Sequence, residues 1–310
     1  MIKAVIDIGS NSIKMRVARV VAGKIHVIRD ETEVVRLGRG MSATGFLSEA
    51  SMKISCETVT KMAKRAAKSG AEIFIVGTMA LRTAKNADEF IKMIKSSTGL
   101  DVHVFTGENE AKYSWLGAVD GFDLDGNIIM FDSGGGSTEF VAGSAGNVSK
   151  IISVPIGAVN LSEKFFNIHD KPIKKIFCDE AVEHVKNLFI ENQVYKLISE
   201  TAPAKIIGVG GGIVTMAGVK FACENFVPSK LHGCTLTMSD IRRQIKMYAA
   251  LTLSERQNVI GLPASRADVI LGSACIIFTV LKMLNARHCI VSINGLRHGL
   301  LLSEEVGSRK

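Results

Sequence analysis

Two stretches 125 residues apart carry one pattern, and that repeat limits the possible folds more than any other feature of the chain. The first is Ala4-Val5-Ile6-Asp7-Ile8-Gly9-Ser10-Asn11-Ser12-Ile13-Lys14-Met15. The second is Ile129-Met130-Phe131-Asp132-Ser133-Gly134-Gly135-Gly136-Ser137-Thr138-Glu139-Phe140-Val141. Laid over each other, Asp7 falls on Asp132, Gly9 on Gly134 and Ser12 on Ser137. In each copy an apolar run enters an acid, a glycine turn follows, and a second apolar run leaves. This reads as strand, tight hairpin, strand. Each copy then continues through another glycine turn, Ala22-Gly23-Lys24 or Ala145-Gly146-Asn147. A supersecondary unit recurring at a fixed spacing argues for a duplicated architecture.

The turns also carry chemistry. Gly134, Gly135 and Gly136 with Ser137 and Thr138 place backbone N–H groups and hydroxyls around one small concavity, a nest for phosphate oxygens. Gly9, Ser10, Asn11 and Ser12 form its counterpart, and two such hairpins facing each other would clamp a phosphate from both sides. Asp132 at the strand end would repel a bare phosphate, so its presence points to a bridging cation such as Mg2+. A glycine-rich hairpin without a ligand is the plainer alternative, and the second copy argues against it.

Between the copies the pattern becomes strand-loop-helix. After strands over 4–8, 13–21 and 24–36, Ser48 reads as the cap of a helix striped by Met52, Cys56, Val59, Met62 and Ala63. Residues 73–77 read as a buried strand running into Arg82. A helix capped by Asn86 follows, then a strand at 102–105, a loop over Thr106-Gly107-Glu108-Asn109-Glu110 and a helix over 111–119. Such alternation implies parallel strands with the ligand edge at their ends, which places Arg82 and Glu110 on the edge of the glycine hairpins. The second copy repeats the meander over 128–133, 138–143 and 148–154. Residues 160–200 are helical in pattern, broken near Pro172. A strand at 206–209 meets Gly210-Gly211-Gly212 and a helix, a junction suited to phosphate at a helix N-terminus or, nearly as well, to close backbone packing. Turn-rich residues 120–127 mark the boundary. The expected domains are 1–123, with a C-terminal helix of about 296–310 packing back on it, and 124–295.

Composition excludes several classes. The six cysteines contain no C-x-x-C pair and the histidines lack ligand spacing, so a zinc site is not expected and the thiols read as reduced. No apolar run is long enough to span a membrane and no signal peptide is evident, so a cytoplasmic protein is expected. The net charge of +8 suits a polyanionic partner. With only 6% aromatics, a base-stacking nucleic-acid surface is not expected.

The motifs AVIDIGSNSIKM, VVRLGRGMSATGFLS, VGTMALRTAKN, TGENEA, FDSGGGSTEF, GVGGGIVTMA, RADVILG and SINGLRHGLL, in this order, make the chain resemble the exopolyphosphatase/guanosine pentaphosphatase (Ppx/GppA) family. The resemblance implies an α/β, two-domain actin/hexokinase/Hsp70-like (ribonuclease H-like) fold with the active cleft between domains. It also implies the short form of the family without extra C-terminal helical domains, and a homodimer. Val209 and Gly212 stand where many members carry threonine, and Lys14 stands where arginine is common.

Phosphoanhydride hydrolysis needs a fixed phosphoryl group, compensated charge and an aligned water. The turn residues Gly9 to Ser12 and Gly134 to Thr138, with Gly210 and Gly211, would bind phosphate. Arg82 would grip the phosphoryl group bidentately. By resemblance Glu110 is the general base, with Glu108 its decoy, and Glu139 positions water or holds the metal. Asp7, Asp132 and Glu139 are the expected ligands of Mg2+ or Mn2+. The expected reaction is release of terminal orthophosphate from inorganic polyphosphate, with guanosine pentaphosphate 5′-hydrolysis as runner-up on the same site. A superfamily kinase or ATPase, and a non-catalytic polyphosphate or alarmone binder, are the remaining alternatives.

Overall fold

The computed structural model describes residues 1–144, 147–168, 170–197 and 204–303. The chain divides into two units, Met1–Gly117 with Asn294–Lys310, and Ala118–Ile293. Both are built on the predicted meander. In the first unit β1 (Ile2–Ile8), β2 (Ser12–Val21) and β3 (Lys24–Val34) are joined by β4 (Glu72–Gly77) and β5 (Val102–Val104) in the order β3-β2-β1-β4-β5. In the second, β6 (Asn127–Ser133), β7 (Thr138–Ser144), β8 (Asn147–Val154), β9 (Ala204–Val209), β10 (Thr235–Thr237) and β11 (His288–Val291) order as β10-β11-β9-β6-β7-β8. Read outward from β1 and from β6, both sheets begin with an antiparallel pair and continue through a parallel strand on the other side. The duplication inferred from sequence is therefore present in topology, in an α/β fold. The turn at Ala145-Gly146 lies outside the described residues.

Strand β1 is central, so both of its faces are covered and its sequence is nearly all apolar. Alternation sends Ala4, Ile6 and Ile8 to a layer containing Met52, Val59, Phe90 and Ile94. Val5 goes to the opposite layer with Phe105, Tyr113, Leu296 and Leu300. The helix Glu49–Lys68 supplies the first layer and is capped by Ser48, whose hydroxyl accepts the Ser51 N–H. The helix Leu296–Leu302 packs on the other face of the first unit. It crosses the helix Gly107–Val119 so closely that a Cβ on Gly299 would stand 1.8 Å from the Tyr113 carbonyl oxygen. Residues 304–310 lie outside the described part of that segment.

Three local expectations are corrected. Asn86 does not cap its helix; its amide accepts from the Leu47 N–H and donates to the Leu47 carbonyl, both at 2.9 Å, pinning a distant loop. Strand β3 stops at Val34 because the N–H groups of Val35 and Arg36 turn to the Asn11 carbonyl. The helix expected from residue 111 begins at Gly107, since Thr106 accepts the Asn109 N–H and acts as its cap. The region 160–200 holds helices Ala158–Phe165 and Lys175–Glu191, separated around Pro172 as expected, with 198–200 outside the described residues. Among the described residues all six cysteines are free, and no helix is long and apolar enough to cross a membrane.

Candidate functional site

In the first unit the acid ending β1 and the turn after it are held from behind. Asp7 is buried and pairs in register with Lys14, whose ammonium lies 3.8 Å from the carboxylate. The Gly9 N–H closes the turn on the Ser12 carbonyl at 3.1 Å. The Ser10 carbonyl accepts the Gly38 N–H at 2.8 Å, and the Asn11 carbonyl accepts those of Val35 and Arg36. In a trans peptide N–H and C=O point oppositely, so taking the Ser10 carbonyl on one side aims the Asn11 N–H to the other.

The second unit repeats the device with different residues. The Gly134 N–H meets the Ser137 carbonyl at 2.9 Å. The carbonyls of Gly134, Gly135 and Gly136 accept, in order, from the Ala158 N–H, the Val159 N–H and the Asn160 side-chain amide. Gly157 makes this seating possible, because a Cβ there would lie 2.4 Å from Gly135 and Gly136 backbone atoms. The N–H groups of Gly135, Gly136 and Ser137 therefore face away from residues 157–160, and none has a partner among the described residues. Such a row of donors suits an anion. The Thr138 hydroxyl is engaged elsewhere, donating to the Ile156 carbonyl at 2.6 Å.

The copies differ where it matters electrostatically. Asp132 pairs in register with Glu139, at the place where Asp7 has Lys14. Glu139 is 1% exposed and accepts a hydrogen bond from the Ser153 hydroxyl at 3.0 Å. Directly opposed carboxylates repel, and a cation between them would offset this. Among the described residues no group of three or more acids, histidines and cysteines gathers, and Asp132 and Glu139 make a pair of two carboxylates. This number fits an ion that completes its shell with water and substrate oxygens.

Arg82 and Glu110 come together in the first unit, at the edge beyond β4 and β5. Arg82 lies on the one-turn helix Met79–Thr83, and Glu110 in the first turn of Gly107–Val119. One guanidinium nitrogen, Nη1, donates to the Phe105 carbonyl at 2.7 Å and to Glu110 Oε2 at 3.1 Å. The edge formed by Nε and Nη2 has no partner among the described residues and keeps the fork that matches two phosphoryl oxygens. Glu108 is exposed.

Gly210 adopts φ 106°, and a Cβ would stand 2.4 Å from the Ser133 carbonyl and 3.1 Å from Asp132 Oδ1. The glycine turn thus abuts the acid. Sequence reasoning missed Arg266. Its half-buried guanidinium fills the space beside Gly211, 2.3 Å from where a Cβ would be, and makes no hydrogen bond or ion pair with a described residue. Burial pushes its pKa down, against the pull of Asp268. The motif RADVILG held the signal, but nothing in it tells that the arginine folds onto Gly211.

The profile of the Ppx/GppA phosphatase family matches residues 16–307. This chain belongs to that family. A bifunctional 3-dehydroquinate synthase/phosphatase of Fusobacterium nucleatum is 30% identical over 97% of the chain and 46% of its own length. A guanosine-5'-triphosphate,3'-diphosphate pyrophosphatase of Photobacterium profundum is 29% identical over 96% of the chain and 58% of its own length. The chain thus spans about half the length of these curated relatives. Exopolyphosphatase 2 of Mycobacterium tuberculosis is 28% identical, covering 96% of this chain and 95% of its own. The crystal structure of the Aquifex aeolicus Ppx/GppA family member superposes with a TM-score of 0.80 at 32% identity, over 100% of this chain and 99% of that one.

Proposed function

We propose that this Ppx/GppA family member is an exopolyphosphatase, releasing terminal orthophosphate from inorganic polyphosphate. The observation that carries the reading is the Arg82–Glu110 pair, in which one guanidinium nitrogen holds the carboxylate and the opposite edge is open. A phosphoryl group on that edge would share one guanidinium with Glu110. Glu110 would then accept a proton from the attacking water as the new P–O bond forms and the bond to the leaving phosphate breaks. Backbone N–H groups of the two glycine turns, with Gly210 and Gly211, would hold phosphate oxygens, and Arg266 would add charge next to Gly211.

Asp132 and Glu139 would hold Mg2+ or Mn2+, which when bound offsets phosphoryl charge. Asp7, with the Lys14 ammonium within 3.8 Å, would seat that lysine beside the first turn and could join these ligands. Guanosine pentaphosphate is the second substrate on the same machinery, favoured by the Photobacterium relative that is named for that activity.

The test is phosphate release from long polyphosphate, tripolyphosphate and guanosine pentaphosphate with Mg2+ or Mn2+. Glu110→Gln should lower turnover by about 10²–10⁴-fold and leave substrate binding intact. Release from none of the three would overturn the proposal. Faster turnover of the nucleotide would reverse the order of the two substrates.

A further inference from the structure

In the second unit two thiols for which the reaction above has no use lie against each other. Cys178 is in the first turn of the helix Lys175–Glu191 and Cys275 is within the helix Ile270–Met283, and both belong to one core. Their sulfurs are within hydrogen-bond reach. The two are not equivalent. Cys275 is 0% exposed, whereas Cys178 keeps 6% of its surface in solvent. The Cys275 thiol favours a thiolate at Cys178 and holds that pKa below the usual value, against the cost of burial. The same contact, together with burial, pushes Cys275 well above its usual value. Two further features favour negative charge on Cys178. It is the fourth residue of its helix, near the positive end of the helix dipole. Arg256, 2% exposed, donates to the Ala267 and Leu251 carbonyls at 3.1 Å each, and its Nε has no partner among the described residues. Burial pushes the Arg256 pKa down, and the acid Asp268 and the thiol Cys178 pull it back. That attraction is mutual, so Arg256 supports a thiolate at Cys178; the neighbouring Asp179 opposes it without reversing the direction.

We infer that Cys178 and Cys275 form an oxidisable dithiol that closes to a disulfide when a hydroperoxide reaches Cys178. The Cys178 thiolate attacks one peroxide oxygen. An S–O bond forms, the O–O bond breaks, and the other oxygen takes a proton and leaves as water or an alcohol. The Cys275 sulfur, giving up its proton, then displaces the hydroxyl of the sulfenic acid as water, and the S–S bond forms. Together the two thiols give up two electrons and two protons, and one peroxide is reduced. Solvent contact sets the order, since Cys178 alone of the pair meets the oxidant and Cys275 resolves it. The disulfide bears on the second glycine turn. Its sulfurs sit about 2 Å apart, closer than hydrogen-bonded thiols, so closure draws the two helices together. Gly272, one turn ahead of Cys275, is seated so tightly that a Cβ would stand 2.9 Å from the Ala158 carbonyl oxygen. Ala158 in turn gives its N–H to the Gly134 carbonyl at 3.0 Å. Movement of the helix Ile270–Met283 therefore reaches the turn through backbone contacts. The effect on turnover rests on the phosphoanhydride-hydrolase reading, whereas the dithiol stands apart from it.

The experiment treats the reduced full chain with hydrogen peroxide, blocks the remaining thiols in denaturant and maps the peptides by mass spectrometry. The expected result is loss of two of the six thiols and a linked peptide joining Cys178 to Cys275, two hydrogens lighter than its parts and released by dithiothreitol. Cys275→Ser should stop at a Cys178 sulfenic acid trapped by dimedone, and Cys178→Ser should leave Cys275 unlabelled. The map of the unaltered chain decides even if either variant fails to fold. No linked peptide, or a link between other cysteines such as Cys223 and Cys234, would overturn the dithiol. On oxidation phosphate release should fall about tenfold or more and recover with dithiothreitol. The Ala158 and Val159 amides should exchange hydrogen about tenfold faster. Unchanged exchange in the linked protein would overturn the path to the turn, whether or not the protein is active. A linked peptide in a chain that releases no phosphate even when reduced would refute the proposed function and leave the dithiol standing.

Discussion

Replacing Gly157 by alanine tests whether the glycine turn of the second unit works only when seated against the segment behind it. Gly157 has φ −141°, ordinary extended backbone, so alanine brings no conformational strain and the effect is steric alone. Its Cβ would stand 2.4 Å from Gly135 C and Gly136 N, where ordinary contact begins at 3.4 Å. Both are backbone atoms in a turn held by three hydrogen bonds, so the turn must retreat by about 1 Å, an overpacking cost of about 1–3 kcal/mol. A reacting group misplaced by that distance loses about 10² in rate. Gly38→Ala, at the equivalent brace of the first unit, is the matched control, since its Cβ would meet the Ser10 Cβ at 3.0 Å and a few tenths of an ångström suffice. Thermal unfolding should show Gly157→Ala lowered by about 2–4 °C per kcal/mol, and phosphate release should fall about a hundredfold. Gly38→Ala should lose less than about tenfold. Parental turnover in Gly157→Ala, or a larger loss in Gly38→Ala, would refute the bracing.

Three further outcomes follow from other parts of the molecule. Arg82→Lys should lower kcat/KM for phosphate release about 10²-fold, the cost of one lost transition-state donor, because the three donors of an ammonium cannot serve Phe105, Glu110 and two phosphoryl oxygens together. Gly299→Ala should destabilise the protein by about 3 kcal/mol or more in denaturant titration, since the Cβ would enter the Tyr113 carbonyl. The third concerns Asp30, which bonds Arg16 and Arg297. Burial alone would raise its carboxyl, but the two guanidiniums outweigh that and hold it below the usual value. A depressed carboxylate contributes stability above its unfolded pKa of about 4 and loses it as pH falls through the folded value. Asp30→Asn should therefore cost about 2 kcal/mol at pH 7 by leaving buried Arg16 without its counter-ion. The difference from the parent should shrink below about pH 4 in unfolding measured across pH.

What could be seen in the sequence was local or repeated. The meanders, the Ser48 cap and the stripe of the helix Glu49–Lys68 follow from periodicities of two and 3.6, and the duplication from two similar strings. Short pieces escaped: β10 and the helix Met41–Thr44 are too brief to show a period. Thr106-Gly107-Glu108 reads as a loop because it is polar, yet Thr106 caps a helix that carries Glu110 in its first turn. The bracing of the turns was hidden for another reason. It joins Gly38 to Ser10, Asn160 to Gly136 and Arg266 to Gly211, contacts set by how strands and helices stack. Lys14 and Glu139 were visible individually, but that they occupy the same ladder position opposite an acid emerges only from the pairing register.

The way residues 157–160 occupy the carbonyls of the second turn has an evolutionary consequence. Amide hydrogens belong to every residue except proline, so exchanging one side chain for another cannot delete them. An anion site made of them is sheltered from most drift and equally closed to tuning. New preferences among anions would then arise at side chains around the turn, while the turn's own donors stay the same.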